Sequence, residues 1–148
     1  MSAGRTDAAV ADPAGRLPGE ELSAAEQRAL FAAMGLSARE MVALLGSHTV
    51  RTLCQPLCVK STTFIQLGGK GFGDPLTFDA AYYRALLQRP WNDPTVEMRT
   101  MIGIPTDRVL PDDPVLVPII QEFAASDGEF FQAFAAAYDK LVRLGWDL

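Results

Sequence analysis

One histidine and two cysteines are present in 148 residues, too few nitrogen and sulfur donors for a four-ligand zinc site. The cysteines, Cys54 and Cys58, stand four apart in Cys-Gln-Pro-Leu-Cys, which is not the two-residue gap of thiol redox motifs. They are expected as free or buried thiols, with a local disulfide or a partner-facing pair as alternatives. Basic clusters are missing too: Lys+Arg number 13 against Asp+Glu 18, a net charge of −5, so the footprint of a phosphate-backbone binder is lacking and nucleic acid is not an expected partner. Apolar residues make up 49% of the chain. No run approaches the roughly 18 residues a spanning helix requires, so a chain that does not itself cross a membrane is expected. Met-Ser-Ala-Gly-Arg-Thr-Asp at the start lacks the apolar segment of about 7–15 residues that a secretory signal carries.

What is there suits one domain, since a chain of this length can bury about two-thirds of its unfolded surface. Residues 1–21, rich in Ala, Gly, Pro, Asp and Glu without periodicity, read as an extended lead-in, and the ordered domain is expected over residues 22–148. Ser23 with Glu26 forms a capping-box signature and Gly35 a stop, giving a helix over residues 23–34. Ser37 with Glu40 repeats the signature, and the helix that follows turns Met41, Leu44, Leu45 and then His48 to one side. Offsets of three and four residues therefore place the lone imidazole on the inward face.

From Cys54 to Pro75 the pattern dissolves into Gly68, Gly69, Gly71 and Gly73 around Lys70 and Phe72. This is a loop. A phosphate cradle would end in Gly-Lys-Ser/Thr or follow a buried strand, and neither is present. Asp79 caps a helix with Tyr82, Tyr83, Leu86 and Leu87 that ends before Pro90. Residues 92–112 form an irregular segment folded over a buried surface, with Asp107 a carboxylate between apolar groups. Asp113-Pro114 starts a helix that runs to about Ala125, proline taking the tolerated first position. Ser126 with Glu129 is a third capping box, and Phe130, Phe131, Phe134, Ala137, Tyr138, Leu141 and Val142 then make an aromatic core stripe that stops at Gly145. The expected fold class is all-α, four to five helices with long loops.

Several segments, taken in order, resemble the second, proximal half of class I haem peroxidases of the ascorbate-peroxidase type. They are Gly15-Arg16-Leu17-Pro18, Met34-Gly35-Leu36-Ser37, Ala43-Leu44-Leu45-Gly46-Ser47-His48-Thr49, Asp74-Pro75-Leu76-Thr77-Phe78-Asp79, Pro105-Thr106-Asp107-Arg108-Val109-Leu110, Asp113-Pro114, and a closing helix with Glu129-Phe130-Phe131, Tyr138 and Lys140-Leu141. The resemblance implies that His48 is the proximal haem ligand and that Asp107 accepts its other ring proton, an arrangement that fixes the tautomer and raises ligand basicity. It implies as well that Thr49 and Asp79 offer oxygens to a monovalent cation beside the proximal helix.

The departures bear on function. Peroxide chemistry needs a distal imidazole to move a proton and an arginine to stabilise developing charge, and in the family both come from the first half of the domain. A chain with one histidine does not supply the distal one. The family's proximal tryptophan aligns near Gly71 or Phe72, its ascorbate-binding arginine is replaced by Leu57, and the charged neighbourhood of that arginine has become Cys-Gln-Pro-Leu-Cys, leaving haem propionates with fewer partners. A second set of segments, Gly-Gly-Lys-Gly-Phe-Gly-Asp-Pro, Phe78-Asp79, Tyr82-Tyr83, Arg89-Pro90-Trp91 and Met101-Ile102-Gly103-Ile104-Pro105, resembles ascorbate-peroxidase-like proteins of the thylakoid lumen that have lost peroxidase function.

That likeness implies a catalytically inactive accessory subunit, associated with the chloroplast thylakoid and docked on protein subunits of a larger photosynthetic assembly. On that reading haem b is expected to be absent and His48 is a core histidine held by Asp107 or a backbone carbonyl. The alternative is a haem-binding peroxidase that reduces hydrogen peroxide, its distal half carried elsewhere. An exposed apolar surface is expected of the first, a Soret band dependent on His48 of the second.

Overall fold

The structure, a computed structural model, describes residues 9–11, 13, 18–19, 21–50, 77–88 and 105–145. Cys54, Cys58, Leu57, the glycine-rich stretch 68–73 and Trp91 lie outside the described residues. The few of residues 1–21 that are described belong to no helix.

All regular structure among the described residues is helical. Helix α1 spans Ala24–Ala33, α2 spans Ala38–Leu45 and runs directly into a 3-10 turn over Gly46–Thr49, and α3 spans Ala81–Leu87. After them come a single turn, α4, over Pro105–Arg108, a 3-10 turn over Leu110–Asp112, α5 over Val117–Ala125 and α6 over Asp127–Arg143. The described residues thus hold six α-helices where four to five are expected; the addition is α4, one turn within the segment read as irregular.

Capping decides the first two boundaries. The Ser23 hydroxyl accepts the Glu26 N–H at 3.3 Å while the Glu26 carboxylate accepts the Ser23 N–H at 2.8 Å, and Ser37 with Glu40 repeats the exchange at 3.2 and 2.7 Å. Each box satisfies donors that a helix N-terminus otherwise leaves unpaired. Gly35, at φ 81°, closes α1 with the Leu36 N–H reaching the Phe31 carbonyl and its own N–H reaching Ala32, both at 2.9 Å, a pattern only a left-handed residue permits.

Two expectations are corrected. Asp113 does not begin a helix at once: its carboxylate accepts the Val115 N–H at 2.8 Å and Arg28 Nε at 2.9 Å, which holds residues 114–116 in a turn and delays α5 to Val117. Ser126 supplies half a capping box, accepting the Glu129 N–H at 3.3 Å, whereas the Glu129 carboxylate lies 3.6 Å from Arg39 on α2.

The core forms where α2 packs along α6 and α3 packs against α5. Met41, Val42, Tyr82, Tyr83, Leu86, Ile120, Phe123 and Phe130 are fully enclosed there. The expected stripe on α6 proves divided: Phe130 and Ala137 are buried, while Phe131, Tyr138 and Leu141 are 36–42% exposed. Each step along a helix turns about 100°, so Phe131 and Tyr138 sit a quarter-turn or so away from the face that meets α2 and α5. Phe78 packs beside them, its ring centroid 5.8 Å from Phe131 and 4.8 Å from Phe134. No described helix is long and apolar enough to cross a membrane.

Candidate haem-ligand site

The site begins at Gly46. Its φ of −59° would suit any residue, so the need for glycine is spatial: a methyl there would fall 2.5 Å from Phe130 Cε2 and closer still to the Tyr83 hydroxyl. Tyr83 fills that space from α3 and donates its hydroxyl to the Val42 carbonyl at 2.9 Å. Burial raises the Tyr83 pKa far above its ordinary value, keeping the phenol protonated as a donor. Past this contact α2 tightens into its 3-10 turn, which moves His48 off the α-helical position expected of it.

His48 and Asp107 come together. His48 Nδ1 lies 2.9 Å from Asp107 Oδ1; the imidazole is 34% exposed and the carboxylate only 2%. A buried carboxylate on Nδ1 selects the tautomer with the proton on that nitrogen and leaves Nε2 with its lone pair. Among the described residues nothing pairs with Nε2.

Asp107 is held in turn by two side chains that the sequence did not single out for it. The Tyr82 hydroxyl donates to the same Oδ1 at 2.7 Å, and the Tyr82 ring stands edge-on to His48, centroids 5.8 Å apart at 87°. Gln27, buried on α1, donates to the Thr106 carbonyl at 3.0 Å and to the Leu22 carbonyl at 3.2 Å, tying the turn that carries Asp107 to the first helix. Tyr82 was legible as core but not as a donor, because its target is 25 positions away. A polar side chain one helical turn beyond Ser23 was the available signal for Gln27.

Thr49 and Asp79 also meet. The Thr49 hydroxyl donates to Asp79 Oδ1 at 3.0 Å, and the same oxygen accepts the Ala81 N–H at 2.9 Å; the N-cap of α3 is nevertheless Ala80, not Asp79 as expected, because Asp79 stands one residue before it. Arg84 stands 3.6 Å from Asp79 Oδ2 and 3.1 Å from Asp127, giving the carboxylate a positive neighbour from within the chain. Among the described residues no group of three or more His, Cys, Asp or Glu is placed to hold a metal ion.

With this all-helical fold and its imidazole–carboxylate pair, the chain belongs to the peroxidase family, whose model it matches over residues 1–126. Within that family the similar curated proteins include several ascorbate peroxidases. "Putative L-ascorbate peroxidase 6" of Arabidopsis thaliana is 40% identical over 147 residues, covering 98% of this chain and 39% of the relative. L-ascorbate peroxidase 2, cytosolic, of the same plant is 32% identical over 97% of the chain and 51% of its own length, and L-ascorbate peroxidase 5, peroxisomal, is 34% identical over 97% and 46%. The chain therefore spans about half, or less, of the length of these relatives. Their names place the last two in the cytosol and the peroxisome, not in the thylakoid.

Proposed function

We propose that this chain forms the proximal half of a haem peroxidase, with His48 as the axial ligand through Nε2 and Asp107 holding the opposite nitrogen. The observation that carries the reading is the 2.9 Å contact between His48 Nδ1 and a buried carboxylate, with Nε2 unpaired among the described residues and the ring partly open to solvent. A histidine that only filled core space would not need a charged partner, since burying a carboxylate is unfavourable unless it is hydrogen-bonded. The donor set fits an axial imidazole, and the haem held there would supply redox chemistry for reduction of hydrogen peroxide.

This chain's own residues then have defined work. Asp107 keeps the proton on Nδ1 and orients the ring; Tyr82 and Gln27 hold Asp107 in place; the contact of Gly46 with Tyr83 fixes where the ligand turn leaves α2. With His48 on the iron, the second imidazole that moves the peroxide proton must come from outside these 148 residues, which contain one histidine. A monovalent cation at Thr49 and Asp79 would require the threonine hydroxyl to turn from donor to ligand.

The test is a visible spectrum of the purified chain with added haemin: a Soret band that disappears in His48→Ala supports the proposal, and a colourless wild-type protein overturns it.

A second reading, an accessory subunit without catalysis, is favoured by the apolar strip of Phe131, Tyr138 and Leu141 on α6 with Leu144 just past its end, all more than a third exposed. Its placement on a photosynthetic assembly rests on the sequence likeness alone. Failure of the chain to take up haem, together with stable binding to a larger complex, would favour this reading over the first.

A further inference from the structure

The His48 and Tyr82 donors converge on a single atom. Asp107 Oδ1 receives Nδ1–H of His48 at 2.9 Å and the Tyr82 hydroxyl at 2.7 Å. An ionised carboxylate oxygen has room for both, but the two donors draw on the same negative charge. Tyr82 is fully buried and its ring stands against Tyr83 at 5.1 Å, so it is not able to turn to water instead.

We infer that Tyr82 is a positioning residue that sets the donor strength of His48: its hydrogen bond withdraws charge from Asp107 Oδ1 and so limits how far the carboxylate pulls the imidazole proton. This rests on the ligand role proposed for His48 but is separable from it, because the sharing of Oδ1 is a property of the protein alone. The ordinary explanation, that a buried tyrosine hydroxyl must find some acceptor, accounts for a hydrogen bond but not for its sharing the oxygen that His48 uses. Only the sharing has an electronic consequence: the more basic the axial imidazole, the more the ferric state is favoured.

Tyr82→Phe keeps the ring and removes the donor. In the haem-free chain, proton NMR of the His48 Nδ1–H should show a downfield shift in this variant, the sign of a stronger bond to Asp107. In the haemin-loaded chain the iron reduction potential should become more negative and the iron–imidazole stretching frequency should rise. Replacement of Tyr82 by a fluorinated tyrosine, whose more acidic phenol is a stronger donor, should move all three readouts the other way. A purely structural hydroxyl would give no such opposed pair. If neither replacement moves the Nδ1 proton resonance in folded protein, the inference is overturned. If that resonance moves as stated but the wild-type chain takes up no haemin, the ligand proposal fails and the role of Tyr82 in the charge sharing stands.

Discussion

Asp107 meets His48 at 2.9 Å across 59 positions of sequence, carboxylate oxygen to ring nitrogen, from a one-turn helix that Gln27 anchors to α1. The pair links the two halves of the described chain.

Asp107→Ala should leave the Tyr82 hydroxyl without its Oδ1 acceptor and remove the partner of His48. Loss of a buried charged acceptor of this kind costs about 2 kcal/mol, to be read as a lowered midpoint in urea unfolding. Haem retention should fall by about 10–100-fold, the usual effect of removing a carboxylate behind a histidine ligand. Equal retention by wild type and variant would contradict the role given to Asp107.

Gly46→Ala should destabilise the fold by about 1–3 kcal/mol through overpacking against Phe130 and Tyr83. Tyr83→Phe alone should also destabilise, because the Val42 carbonyl loses the hydroxyl. Combined, the two changes should cost less than their sum, since the second relieves the nearest clash of the first. Strict additivity in a double-mutant cycle would show that the glycine is needed for another reason.

Acid should weaken the protein through its capping glutamates. The Ser37 N–H and Lys140 hold the Glu40 carboxyl below its ordinary pKa of 4.5, and Ser23 lowers Glu26 in the same way. A carboxyl with a lowered folded-state pKa stabilises the protein above its unfolded value, and this contribution is lost as pH falls through the folded one. The urea midpoint should therefore hold from neutrality to about pH 5 and then fall. Glu40→Gln should flatten that acid limb, and an unchanged limb would remove Glu40 from the account.

Polar replacement of both Phe131 and Tyr138 should leave haem uptake and the unfolding midpoint nearly as they are, because these side chains are 42% exposed and lie off the core face. A large loss of stability, measured by urea unfolding, would mean that the strip belongs to the core after all.

Helix existence was legible wherever a local signal was complete: Ser23 with Glu26, Ser37 with Glu40, and Gly35 and Gly145 in left-handed conformation all sit where the pattern puts them. Boundaries failed where a distant partner intervened. Asp113 accepts the Val115 N–H locally, but Arg28, which fixes that carboxylate, is 85 positions away and has no local signature. Arg39 approaches the Glu129 carboxylate from another helix, which leaves the third box half made. His48 and Asp107 were nameable together only through resemblance to a family, because no spacing rule joins residues 59 apart. Tyr82 read as an apolar core position on α3, and periodicity shows which face a tyrosine occupies but not where its hydroxyl ends.

The central claim, that His48 binds iron through Nε2, is tested most directly by restoring the ligand from solution. His48→Gly should take up haemin weakly and without the wild-type Soret position, and added imidazole should bring that band back at the wild-type wavelength. If the glycine variant binds haemin as the wild-type chain does without imidazole, His48 is not the ligand.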